Sequence, residues 1–296
     1  MTGKLTKALG LAALVAAAGC ATGNGGGGKT YPLGKCMWGL GEAADLKAAG
    51  YDFCENSVSA FLIPDKDDAA WAEQKEKILA ENKILKTVSC NGFLPGTFRL
   101  TGPEPTHEAA LEYAMRACRR ADEVGLDYIV FGSGAARKIP DGFDHAEGRR
   151  QFVAFCRKLA AAMEAAGCRV TIVLEPLNWK ETNLLNYVRE GAEIVDEIGS
   201  DRIRLLADLY HMCAGGEKAE ALVAAGRRLR HVHVADPTRQ YPGFSSADLS
   251  PYFRALDAAG YSDGVSIESG WPGGDDYAKA RLVARDTVRG WMKGAR

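Results

Sequence analysis

The stretch "TIVLEPLNWKET", Thr171–Thr182, runs a short β-favouring segment into a bare carboxylate, Glu175, and at once into Pro176. A strand buried on both faces cannot hold an unpaired charge, because taking it out of water costs several kcal/mol. Glu175 therefore either leaves the core where the strand ends or meets something positive there.

The same pattern recurs along the chain. Strand candidates are "KCMWGL", "YDFCEN", "ILKTVSC", "DYIVFG", "RVTIVLE", "RIRLLAD", "RHVHVAD" and "GVSIES". Amphipathic, Ala-rich segments such as "AAWAEQKEKILAEN", "HEAALEYAMRACRRADEVG" and "EGRRQFVAFCRKLAAAMEAAG" separate them. Gly50, Gly125, Gly167, Gly226 and Gly260 sit where helices should end in a left-handed cap. Eight β-then-α units in about 260 residues predict an α/β fold of one domain, a (β/α)8 TIM barrel, whose usual length is about 250 residues. The rival is a doubly wound sheet, which would carry a Gly-rich phosphate turn after its first strand. "GLGEAADL" matches that turn poorly.

In a barrel the C-terminal strand ends open onto the βα loops, where active sites are built. Reading along that rim gives Trp38, Glu55, Asn91, Gly132 to Gly134, Glu175, Asp208, His233 and Glu268. The last four end four consecutive strands. Three carboxylates and an imidazole pointed at one axis would repel unless a cation sat among them. An oxygen-rich set with one histidine suits Mn2+ or Mg2+; Zn2+ usually takes more nitrogen or sulfur. Each residue alone has a plain reading as a loop-pinning group, but four in succession make coincidence a poor account.

At these residues the chain resembles the xylose-isomerase-like sugar isomerase/epimerase superfamily, nearest in motif to the ketose 3-epimerases. The resemblance is strong over the second half and loose in the first. It implies that Glu175 in "LEPLN", Asp208 in "LLADLYHM", His233 in "HVHVAD" and Glu268 in "SIES" hold one divalent metal, Mn2+ first and Mg2+, Co2+ or Zn2+ as alternatives. It further implies that His211, Arg239 and Glu181 contact substrate oxygens, and that Glu175 and Glu268 exchange a proton beside a carbonyl through an enediolate. His231 shares a strand face with His233 but falls outside the family's ligand position, so a supporting place at the core edge is expected for it. Trp38, Glu55 and Asn91 are expected to line the sugar pocket, with "YPGF" (Tyr241–Phe244), Trp179 and Trp271 near its mouth. The loop Gly132–Gly134 with Arg137 has two readings, an anion-binding nest or a tight turn, and the turn is favoured.

The chain start points to location. Lys4 and Lys7 precede "ALGLAALVAAAGC", ending at Cys20, and "ATGNGGGGKT" follows as a Gly-rich tether. This resembles a bacterial lipoprotein signal peptide, although Ala17 stands where that pattern prefers leucine. The expected division is a signal peptide at 1–19, lipidated Cys20 with a linker to 33, and the barrel over 34–296. Membrane contact would run only through the lipid at Cys20, outside the cytoplasm, which favours unphosphorylated sugars. The remaining seven cysteines have no disulfide or zinc-knuckle spacing and read as buried thiols. A formal charge of -1 over 296 residues and only five histidines exclude nucleic acid and the multi-zinc apurinic endonuclease branch of the fold. A small carbohydrate is the expected partner, with a homo-oligomer left open. Three functions compete: a sugar epimerase or isomerase first, a lyase on 3-keto glycosides second, and a non-catalytic surface sugar binder third.

Overall fold

The computed structural model describes residues 29–294, and the expected signal peptide and Cys20 lie outside them. Eight strands close on themselves in chain order: β1 Leu33–Cys36, β2 Phe53–Ser57, β3 Thr87–Asn91, β4 Tyr128–Phe131, β5 Thr171–Leu174, β6 Ile203–Asp208, β7 Leu229–Val234 and β8 Val265–Ile267. Every neighbouring pair is parallel, including β1 with β8. Among the described residues ten α-helices lie between and after the strands. They are α1 Ala43–Ala48, α2 Asp68–Asn82, α3 His107–Val124, α4 Gly134–Arg137, α5 His145–Ala165, α6 Val188–Ile198, α7 Leu209–Ala214, α8 Glu220–Ala225, α9 Ser250–Ala258 and α10 Asp276–Gly294. This is the single-domain (β/α)8 barrel that the strand spacing predicts.

Local sequence explains the outer ring. Along α6 the buried residues Val188, Gly191, Ile194, Val195 and Ile198 recur at three- and four-residue spacing, so one apolar stripe faces the sheet. Helix α3 stops at Gly125, whose φ of 76° and ψ of 37° form the left-handed cap that a side chain would resist.

Two boundaries differ from expectation. β1 ends at Cys36 rather than continuing through "MWGL", because Gly39 and Gly41 at φ 156° and 114° turn the chain away; Trp38 is left 84% exposed on the rim. The packed chain also starts earlier than residue 34. Tyr31, placed in the expected linker, is buried against Tyr261 at a 5.4 Å ring separation and donates its hydroxyl to Asp257. Aromatic burial outweighs the Gly-rich run that precedes it.

Strand alternation sorts the sheet into two faces. Ile129, Phe131, Ile172, Leu174, Leu205 and Val232 belong to the large core under the helices. Tyr128, Val130, Val173 and Leu206, one residue out of step with them, form a separate cluster inside the barrel. The same alternation carries Cys36, Glu55, Asn91, Glu175, Asp208, His233 and Glu268 inward at the C-terminal end. The interior is thus apolar beside β4–β6 and polar beside β2, β3, β7 and β8, where Glu55, Ser89, His231 and Ser266 are buried. Among the described residues the seven cysteines are unpaired thiols, and no helix is long and apolar enough to cross a membrane.

Phe53 closes the N-terminal end of the barrel. A Cβ built on Gly34 would lie 2.2 Å from its ring, and one on Gly264 would lie 2.7 Å away. Gly34→Ala is expected to destabilise the fold by about 1–3 kcal/mol through overpacking, read as a lower thermal midpoint. Adding Phe53→Leu should restore part of the loss; an additive double variant would show that the ring is not what Gly34 accommodates.

Candidate metal centre

One ligand atom from each of Glu175, Asp208, His233 and Glu268 lies within 4.8 Å of the others. The sequence-derived set therefore converges at one point, from four neighbouring strands. His233 Nδ1 is 3.2 Å from Glu175 Oε1 and 3.5 Å from Glu268 Oε2. Three carboxylates and a ring nitrogen that share this volume form a donor set for a divalent cation with a preference for oxygen.

Each ligand is held by something identifiable. Asp208 caps α7: its Oδ1 accepts the N–H groups of Tyr210 and His211, at 2.7 and 3.4 Å, which leaves Oδ2 for the site. Asn91 Nδ2 donates to Glu268 Oε1 at 3.0 Å, so Asn91 braces a carboxylate at the site's edge. Glu175 packs against Gly132, where a Cβ would fall 2.4 Å from Glu175 Oε2. Its own carbonyl accepts from the Arg137 guanidinium at 2.7 Å. That guanidinium is fully buried and also donates to the carbonyls of Phe131, Leu184 and Leu185. Ser133 Oγ accepts from Leu94 N–H. The loop is thus the turn favoured from sequence, with Arg137 pointed into the protein to tie β4 to the β5 loop.

Arg239 supplies the positive charge on the mouth side. It donates to Asp208 Oδ2 at 3.1 Å and to Glu268 Oε2 at 2.8 Å. The residue has φ 66°, a left-handed conformation unusual for arginine. Asp236 holds it there by accepting the N–H and hydroxyl groups of Thr238 and Ser245. His211 is buried behind Asp208, and its Nδ1 accepts the Asn178 N–H at 3.1 Å. The ring proton is therefore on Nε2, the nitrogen nearer Asp208 and Arg239. Glu181 accepts from Asn178 Nδ2 at 3.0 Å, and its half-exposed carboxylate stands over that pair.

The charges separate the two glutamates. Burial, with the nearby Glu268 and Asp208 carboxylates, pushes Glu175 above the usual carboxylate range despite its bond to His233. Burial acts on Glu268 too, but His233 and Arg239 outweigh it and hold the group at about 2.

Glu55 departs from expectation. It was expected to line the sugar pocket, yet it has no exposed surface and sits beneath His233, bonded to both strand-β7 histidines. Strand alternation had placed it inward, but only the closed barrel puts β7 across from it. His231 faces Glu55 and lies outside the four-residue set. Trp38 stands on the rim, with Trp179 and Phe244 each 57% exposed there as well. Tyr241 stacks on Trp271 at 5.9 Å and meets Phe244 edge-on, forming an aromatic wall on the β7–β8 side. Sequence reasoning passed over Asn178 and Asp236. The first sits inside the quoted "LEPLN", and the second opens "DPT", an Asx-turn signal that was legible.

Comparison with known proteins places this geometry. A family model described as a xylose isomerase-like TIM barrel matches residues 43–293, and the chain belongs to that family. The L-ribulose 3-epimerase of Methylomonas sp. (strain DH-1) is 35% identical over 234 residues, 76% of each chain. A D-allulose 3-epimerase from Methylomonas sp., solved with D-allulose, shares the fold at a TM-score of 0.73 and 24% identity, over 89% of this chain and 98% of that one. A 3-keto-D-glucoside 4-epimerase from E. coli does so at 0.70 and 20% identity, over 90% of this chain and 100% of that one.

Gly132→Ala is expected to push the Glu175 carboxylate out of register and weaken Co2+ uptake about tenfold or more, measured by titration calorimetry. Unchanged affinity in a normally folded variant would show that Glu175 is not confined by this glycine.

Proposed function

We propose that this barrel is a divalent-metal-dependent epimerase that moves a proton on a carbon beside the carbonyl of an unphosphorylated ketose or ketosugar. The chain is a carbohydrate isomerase or epimerase by its family and by its likeness to L-ribulose 3-epimerase over three quarters of both chains. The observation that carries the finer reading is the single locus shared by Glu175, Asp208, His233 and Glu268.

These four residues would hold the ion, with Mn2+ the best match to an oxygen-rich set containing one imidazole. When bound, such an ion supplies Lewis-acid stabilisation of negative charge on substrate oxygens. The protein's own groups do the rest. Inverting a carbon requires a proton to leave one side and return on the other, so two positioned carboxyls are needed, and Glu175 and Glu268 are those groups. His211, with its proton on Nε2, and the Arg239 guanidinium present donors where an oxygen gains charge as the C–H bond breaks. The half-exposed Glu181 is placed to accept from a substrate hydroxyl.

An unphosphorylated substrate is the reading that the side chains of one loop favour. The one loop that reads in sequence as a possible anion nest has its hydroxyl and its arginine committed to backbone partners. Export through a signal peptide, with lipidation at Cys20, is part of the same proposal and would bring the site to sugars outside the cytoplasm.

A second reading, elimination on a 3-keto glycoside, draws on the exposed faces of Trp38, Trp179 and Phe244, which offer stacking surfaces for a second ring beyond the site. Deprotonation is shared by both readings; a leaving group beside the resulting carbanion decides between them.

The test is incubation of the Mn2+-loaded protein in heavy water with free ketoses, 3-keto sugars and 3-keto glycosides, followed by NMR. Deuterium entering the carbon beside the carbonyl, with an inverted product, is expected. Glu175→Gln and Glu268→Gln should each lower that exchange by about 10²–10⁴-fold. Sugar binding without exchange would establish a binder instead, and release of a free aglycone would establish the lyase.

A further inference from the structure

Within the barrel lies a buried carboxyl group that the proposed chemistry does not use. Glu55, on β2, is completely buried and lies one layer below the candidate ligands. Its Oε1 accepts from His233 Nε2 at 2.9 Å. Its Oε2 accepts from His231 Nε2 and from Ser89 Oγ, both at 2.7 Å. Three donors from β3 and β7 therefore converge on one carboxylate.

The His233 ring spans the distance between this carboxylate and the site. Its Nε2 is committed to Glu55, and its Nδ1 faces Glu175 and Glu268. A carboxylate that accepts the far N–H of an imidazole fixes which nitrogen carries the proton, locks the ring plane and makes the other nitrogen a stronger donor. We infer that Glu55 is a positioning residue for the metal centre, setting the tautomer and orientation of His233 so that Nδ1 is the nitrogen offered to the cation.

The surroundings point the same way. His231 stacks on Tyr128 at 5.6 Å and 25°, and it fixes the second Glu55 oxygen in place. Neither His231 nor Ser89 reaches the site, so their role is to hold Glu55. Cys36 also comes near Glu55 and His233. Glutamine is the informative replacement at position 55. Its carbonyl oxygen can serve only one of the two imidazoles, and its NH2 group then faces the other ring's N–H. If that ring is His233, the relief is a flip of the proton to Nδ1, where it blocks coordination.

The inference rests on the reading of Glu175, Asp208, His233 and Glu268 as a cation site, and its test separates the two. The full chain, freed of metal by chelation, is titrated with Co2+ by calorimetry and visible absorption, beside Glu55→Gln and Ser89→Ala. Glu55→Gln is expected to bind about 10–100-fold more weakly and with an altered ligand-field spectrum, while its metal-free melting stays cooperative. Ser89→Ala, which loosens Glu55 without touching His233, should bind less tightly than wild type and more tightly than Glu55→Gln. A third measurement needs no variant: 15N-histidine NMR of the Zn2+-loaded wild type should show His233 coordinated through Nδ1 and protonated at Nε2. Equal affinity in wild type and a folded Glu55→Gln, or coordination through Nε2, overturns this inference alone. A wild-type chain that takes up no Co2+ overturns the cation site and this inference together.

Discussion

Like charges held at short range in a poorly hydrated place are the constraint on which this structure turns. Glu175, Asp208 and Glu268 approach one another at the mouth of the barrel, with Glu55 one layer below. At an effective dielectric of about 20, two unit charges 4 Å apart already interact by about 4 kcal/mol. The fold meets this with fixed positive groups placed around the cluster rather than by moving it into solvent. Arg239 bridges two of the carboxylates, and Arg137 lies buried behind the third with its donors on backbone carbonyls. A site balanced in this way has donors committed in direction, which is what a cation of small radius requires.

The division of the barrel interior follows from the same need. Beside β4–β6 it is filled with Tyr128, Val130, Val173 and Leu206, which pack by shape alone. Beside β2, β3, β7 and β8 it carries Glu55, Ser89, His231 and Ser266. Within this set Glu55 is met by three donors, whereas Ser266 Oγ and His231 Nδ1 find no partner among the described residues. The apolar half gives the strands their packing, and the polar half gives His233 its orientation. Both halves come from alternation along short strands, so a slip of one residue in any of them would exchange core for site.

Much of this was legible from residues in order. "RVTIVLE", "RIRLLAD", "RHVHVAD" and "GVSIES" show strand periodicity and a polar terminus together, which gave both the barrel and the four converging groups. Helix ends were readable because a left-handed cap favours glycine. Glu55 was read as a pocket wall because a polar strand end looks the same whether it meets water or a histidine. Arg137 raised the reverse question: a charge after a Gly-rich turn suggests an anion, and only the path of β5 and its loop shows the carbonyls that it serves. The Asp236 bond to Thr238 is local and readable, but its bond to Ser245 and the Asn178 bond to His211 span nine and thirty-three positions, relations that spacing alone does not display.

Sequence by itself determined the element types, their order and the inward or outward sense of each strand residue, because those depend on periods of 2 and 3.6 and on local backbone sterics. It also determined which chemical groups arrive at the C-terminal rim. Tertiary structure alone decided which groups meet. Closing β1 against β8 set β7 across the barrel from β2, so that Glu55 found His233, and folded the β7 loop back so that Arg239 reached Asp208 and Glu268. Those contacts join residues 29 to 178 positions apart, and the energy of a charge depends on what surrounds it in space, not on its neighbours along the chain.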